Sequence, residues 1–203
     1  MEVEIIRLME WQRIRDKAAK SQGVEAKPIT PAWFRKALLC RHSMIRFVRL
    51  EVTLRDIPYW LAAHFRTHEI GFSHDTMIRS QRPDVTLPVE YDRNSARQDM
   101  PVLMTFDINL EALLNMMEKR MCVMAGPEAV KVCQAIVREL AKQDDPYMLL
   151  LAWACHPQCV WAGHICPEVF RGCGRYPHLK WFSRQEATTE DVETLRCLGL
   201  LDE

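Results

Sequence analysis

Between Asp107 and Cys155 the chain passes through three apolar runs, each opened by a residue that starts helices. Asp107 is placed to cap the first, about Ile108 to Met124, in which Leu110, Leu113, Leu114, Met117 and Met121 share one stripe at helical spacing. Gly126-Pro127 breaks the run and restarts it, with Val130, Val132, Cys133, Ile136, Val137 and Leu140 facing inward. Pro146 opens the third, which ends at Cys155. The longest apolar run, Met148 to Cys155, is far too short to cross a bilayer. These helices need a core to cover.

The first half supplies strands for that core. Val3 to Leu8 is a short apolar strand candidate, followed by a charged helix from Met9 to Lys20. Thr30 caps and Pro31 opens a helix that reaches Cys40. Met44 to Leu54 is the best strand candidate, mostly β-branched or large apolar residues with Arg46, Arg49, Glu51 and Thr53 interspersed. Asp56 is expected to cap a helix from Ile57 to Phe65, with Pro58 in its first turn. Pro83 to Met100 is a long polar connection of the kind that often carries function, and Val102 to Asp107 is a second strand. A last short helix is expected from Thr189 to Leu198. No internal repeat is present.

A chain of 203 residues suits one domain with a buried core, here with a cysteine-rich tail from about residue 155. Acidic and basic residues balance at 27 each, so no global field favours nucleic acid or a membrane, and any charge selectivity must be local. No signal-peptide pattern opens the chain, which leads to the expectation of a cytoplasmic protein. In that compartment eight cysteines serve packing, metal or redox chemistry rather than disulfides. Seven glycines without GxGxxG or GxxxxGK argue against a Rossmann site or a P-loop.

Local charge collects from His64 to Arg82, where three arginines, three histidines and two serines fall within nineteen positions. A helix carrying Trp60, Leu61 and Phe65 delivers them to the edge of the buried region. Guanidinium groups grip phosphate through a planar fork, so Arg66, Arg79 and Arg82 read as phosphate ligands; a solvated basic turn is the alternative. On the helix after Asp107, Asn109 and Arg120 fall on nearly the same angle about 16 Å apart, placed to hold two ends of a long ligand, while Asn115 lies on the far side. Exposed polar residues on an amphipathic helix are the alternative there.

Three segments together carry a resemblance. SQR at Ser80 to Arg82, ARQDMP at Ala96 to Pro101 and NLEALLNMMEKR at Asn109 to Arg120 resemble the flavin-dependent thymidylate synthases, especially the divergent members common in phages. The helix repeats the family's spacing of Asn, Asn six residues on, and Arg five further. HSMIR at His42 to Arg46 and the run from Ile57 to His68 also match, as do Ala125 and Glu128. The resemblance spans roughly Ser43 to Cys173.

It implies an α+β fold, a curved, mostly antiparallel sheet packed with helices, assembled as a homotetramer with active sites between subunits. Ser80, Gln81 and Arg82 would cradle the phosphate and sugar of dUMP, with Arg97 adding a phosphate contact. Arg120 would clamp the uracil ring and withdraw electrons from it, which makes Arg120 and Ser80 the implied catalytic residues. Arg66, His68, Asn109 and Asn115 would contact FAD; methylenetetrahydrofolate would supply the one-carbon unit and NADPH would regenerate the flavin. Two departures stand out. Arg66-Thr67-His68 replaces the family's Arg-His-Arg, and Glu111 stands where many members keep a flavin-binding arginine, a change that weakens a phosphate contact. The same pocket would also suit a dUMP or dCMP hydroxymethylase, or a nucleotide-binding protein that has lost catalysis.

The tail is the second site candidate. Cys155, His156, Cys159, His164, Cys166 and Cys173 place six soft ligands within nineteen residues, from which Cys155, Cys159, Cys166 and Cys173 would make a structural zinc site; a zinc-stabilised interaction module is the corresponding function. Cys40, Cys122, Cys133 and Cys197 sit in helical patterns and read as small buried groups, and Trp153, Trp161 and Trp181 as core or subunit contacts.

Overall fold

The structure is a computed structural model that describes residues 1–68, 70–76 and 97–161. The expectations on Arg79, Ser80, Gln81, Arg82, His164, Cys166, Cys173, Trp181, Cys197 and the helix from Thr189 lie outside those residues.

Four antiparallel strands, β1 (Glu2–Arg7), β2 (Arg49–Pro58), β3 (Phe72–Thr76) and β4 (Pro101–Asn109), form an open sheet in the order β1-β2-β4-β3. Burial alternates strictly along the two central strands: Leu50, Val52 and Leu54 face inward opposite Ile108, Phe106 and Met104. Their neighbours Glu51, Thr53, Thr105 and Asp107 make a half-exposed polar face, where the Thr53 and Thr105 hydroxyls meet at 3.1 Å. A bulge between Leu54 and Ile57 keeps Ile57 on the buried face, paired with Val102. Asp56 turns that bulge in the left-handed region at φ 59, which corrects its expected role as a helix cap.

Seven α-helices are described. α1 (Gln12–Ser21) and α2 (Pro31–Leu39) follow β1, α3 (Tyr59–Phe65) follows β2, and α4 (Leu110–Arg120), α5 (Pro127–Lys142), α6 (Pro146–Ala154) and α7 (Gln158–Trp161) complete the chain. All the apolar positions expected to face inward on α4 and α5 are buried, and the core lies between these helices and one face of the sheet. Thr30 caps α2 as expected, its hydroxyl accepting from the Trp33 N–H. Asp145 caps α6 and also accepts from Trp11 Nε1 at 2.7 Å, tying an aromatic cluster of Trp11, Phe34 and Tyr147 to the helix start.

Other boundaries differ from the sequence reading for identifiable reasons. Ser43–Phe47 is a 3-10 turn capped by His42, so the long strand begins at Arg49 rather than Met44. Ile57 and Pro58 belong to β2, and the following helix begins at Tyr59. Ladder pairing of Ile108 with Leu50 holds the chain extended two residues beyond Asp107, so Asn109 caps α4, its Oδ1 accepting from the Ala112 N–H at 2.9 Å. Asn109 is therefore not on the helix, and its angular match to Arg120 does not arise; the two residues mark opposite ends of α4, about 16 Å apart by helical rise. Cys40 is exposed and Cys122 half-buried, whereas Cys133 and Trp153 are fully buried as read.

Candidate functional site

Cations gather where the C-terminal ends of α3 and α4 meet. Arg120, the last residue of α4, donates from Nε to His68 Nε2 at 3.0 Å and from Nη2 to Thr67 Oγ1 at 3.1 Å, and its Nη1 meets His64 Nε2. Nη2 also reaches the His64 carbonyl at 3.5 Å, and Thr67 donates to that same carbonyl at 2.8 Å. His64 and Thr67 lie three residues apart, and His64 and His68 four apart, so the end of α3 presents all three groups to one side. None of these contacts is a carboxylate. Among the described residues Arg120 has no counter-ion, and burial pushes its pKa down from the ordinary value without removing its charge.

The histidines are kept neutral. Burial first and the Arg120 charge second lower His64, and the same causes, joined by Lys119 and His64, push His68 down to about 4. An uncharged imidazole can accept from Arg120; an imidazolium cannot. Next to this group Arg66 is exposed and donates to His74 Nε2 at 2.7 Å, again with no carboxylate partner among the described residues. Arg66, His68 and Arg120, expected at one site, are therefore brought to one region of the surface.

Three other arginines, Arg46, Arg41 and Arg97, are compensated. Arg46 forms a two-pronged pair with Glu111, with Nη2 to Oε1 at 3.0 Å, and this pair raises the Arg46 pKa. The carboxylate at position 111 is thus neutralised by Arg46. Arg41 pairs with Glu118 and donates to Asn115 Oδ1 at 3.3 Å. Burial raises the Glu118 carboxyl, with Arg41 pulling the other way. Asn115 is exposed on the far side of α4, as read. Arg97 pairs with Asp99 in its own turn at 2.7 Å, and that turn is stitched to the start of α3 through Trp60 N to Gln98 O and Tyr59 N to Met100 O. Arg97 thus stands at the other end of α3 from Arg120, about 10 Å away along the helix.

Asn109 stands in a tight corner. Its backbone N–H donates to the Gly71 carbonyl at 3.0 Å, and its side chain packs so closely on Gly71 (φ 75) that a Cβ there would lie 2.8 Å from Asn109 Cγ. Only glycine fits. The tail's expected zinc ligands are divided: Cys155 is buried at the end of α6, its thiol pushed up to about 12 by burial, and Cys159 is half-buried in α7. Among the described residues no group of three or more His, Cys, Asp or Glu side chains is arranged to hold a metal. No described helix is long and apolar enough to cross a membrane.

His64, Thr67, Arg46 and Arg41 enter the site's contacts without having been assigned roles from the sequence. The spacing of His64, Thr67 and His68 was a readable signal. The Arg46–Glu111 and Arg41–Glu118 pairs, 65 and 77 residues apart, carried none.

No protein-family model matches the chain, and no curated protein matches it. Among solved structures it is similar to thymidylate synthase X (ThyX) from Helicobacter pylori, determined with FAD and dUMP, at a TM-score of 0.54 and 11% sequence identity. The match covers 76% of this chain and 99% of that one. An identity this low speaks for architecture alone, and on that ground the chain has the α+β fold of ThyX, with an open antiparallel sheet packed against helices.

Proposed function

We propose that this chain is a thymidylate synthase-like enzyme that binds dUMP and FAD and transfers a one-carbon unit from methylenetetrahydrofolate to C5 of the pyrimidine. The observation that carries the reading is Arg120: a half-buried guanidinium without a counter-ion among the described residues, held by neutral acceptors, in a fold shared with a protein solved with those two ligands. Such a cation favours an anion or an electron-rich carbonyl.

In this reading Arg120 clamps and polarises the uracil ring, and Arg97, released from Asp99, joins Ser80, Gln81 and Arg82 on the phosphate and sugar. Ser80 is the second catalytic residue. Arg66, His68, Asn109 and Asn115 contact the flavin. The donor set suits that cofactor: Arg66 has no carboxylate partner among the described residues, and Arg46 offsets Glu111. Flavin, when bound and reduced by NADPH, supplies hydride; the protein's part is to hold the nucleotide and polarise its ring. Asn115, exposed on its own subunit, serves a site shared between subunits of a cytoplasmic homotetramer. Cys155 and Cys159 join Cys166 and Cys173 on a structural zinc in the tail.

The carboxylate at position 111, where many members of the resembling family keep a flavin-binding arginine, favours a second reading, a nucleotide-binding protein of the same fold that has lost flavin. Two measurements separate them. Purified protein with a visible flavin spectrum that forms dTMP from dUMP, methylenetetrahydrofolate and NADPH supports the enzyme; colourless protein that binds dUMP supports the second reading. Arg120→Ala is expected to weaken dUMP binding about 10- to 100-fold, the loss of one charge-assisted hydrogen bond. Unchanged dUMP affinity in that variant refutes both.

A further inference from the structure

Arg120 uses most of its donors inside the protein. A guanidinium has five N–H groups. Nε is taken by His68, one Nη1 hydrogen points to His64, and the two Nη2 hydrogens go to Thr67 and the His64 carbonyl. Among the described residues one N–H finds no partner, with the full positive charge behind it. A side chain with four rotatable bonds is thereby fixed in one plane by acceptors that do not neutralise it, which differs from every carboxylate-paired arginine described above.

We infer that His64 and His68 are positioning residues: as neutral imidazoles accepting through Nε2, they hold the Arg120 guanidinium in one orientation so that it meets its ligand with a single, pre-aimed N–H. The inference rests on the proposed function for the identity of that ligand, a pyrimidine nucleotide. Carboxylates in the same places would orient Arg120 equally well but cancel its charge, leaving little field to polarise a ring. Neutral acceptors orient it and leave the charge intact.

The arrangement is sensitive to protonation. Among the described residues the charged and titratable groups acting on the pair are Arg120 at the end of α4 on both imidazoles, Lys119 and His64 on His68, and Cys133 of α5 behind Arg120. Both histidines have depressed folded-state pKa values, so the contacts hold at neutral pH and are lost as acid converts each acceptor into a second cation facing Arg120. For His68 that occurs near pH 4.

Nitrogen-15 NMR of the imidazoles in the full chain at pH 6 reads the arrangement directly. There an ordinary histidine is about three quarters protonated. His68 is expected to be neutral, with Nε2 bare, and His64 less protonated than an ordinary histidine, and both to titrate closer to the ordinary value in Arg120→Ala. An imidazolium signal for His68, or protonation of His64 as full as that of an ordinary histidine, in the wild-type protein at pH 6 would overturn the inference. The functional arm compares His64→Gln, which keeps an acceptor, with His64→Leu, which does not, both checked for native circular dichroism. With dUMP as the probe, His64→Gln is expected within about threefold of wild type and His64→Leu at least tenfold weaker. Equal affinities in the two variants would overturn the positioning role. Wild-type protein that ignores dUMP removes the proposed function, while the NMR arm still decides whether the imidazoles hold Arg120.

Discussion

Replacing Gly71 with alanine should damage the protein twice, and the two kinds of damage can be separated. Gly71 adopts φ 75, a conformation that costs an L-residue about 1–2 kcal/mol. The new Cβ would also lie 2.8 Å from Asn109 Cγ, so the Asn109 side chain must swing away and give up its hydrogen bond to the Ala112 N–H. Loss of a helix cap costs about 1 kcal/mol. Gly71→Ala is therefore expected to destabilise by about 2–3 kcal/mol, and Asn109→Ala alone by about 1 kcal/mol. The double variant loses the cap only once. It should be no worse than Gly71→Ala, about 1 kcal/mol better than the sum of the single changes. Urea denaturation followed by tryptophan fluorescence, with unchanged m-values, measures all three. Costs that add to within about 0.5 kcal/mol would show that Gly71 and Asn109 do not share the space assigned to them.

Two further outcomes follow from the core. Asp145→Ala removes the cap of α6 and leaves the buried Trp11 indole N–H without its acceptor, so a loss of about 2–3 kcal/mol is expected by the same denaturation assay, and less than about 0.5 kcal/mol would contradict the tie between α1 and α6. Cys133 and Cys155 are buried, and burial raises both thiols; an aromatic disulfide reagent should modify exposed Cys40 in the native protein and leave these two untouched until denaturant is added, whereas prompt native labelling of either would contradict their burial.

Helices α4 and α5 were readable in the sequence from their apolar stripes, and α6 from a continuous apolar run opened by Pro146. Strand ends were less so. Nothing local says that Ile108 must pair with Leu50, yet that pairing holds β4 extended to Asn109 and moves the cap away from Asp107. Arg120 could be singled out from the spacing of its helix, and His64 and His68 from their clustering. Their meeting is a tertiary fact across 52 and 56 residues. Glu111 read from sequence alone is an anion set against a phosphate; the register that pairs Arg49 with Asn109 also brings Arg46 and Glu111 together, and the charge is cancelled.

The junction between β4 and α4 has no loop: the strand ends at Asn109 and the helix starts at Leu110. The ladder therefore dictates the helical phase. One residue inserted or deleted at this seam would turn α4 by about 100° and carry the Arg120 head group off its imidazole cradle, even with every hydrogen bond of strand and helix preserved. Length, more than chemistry, is what this hinge-free joint cannot tolerate changing.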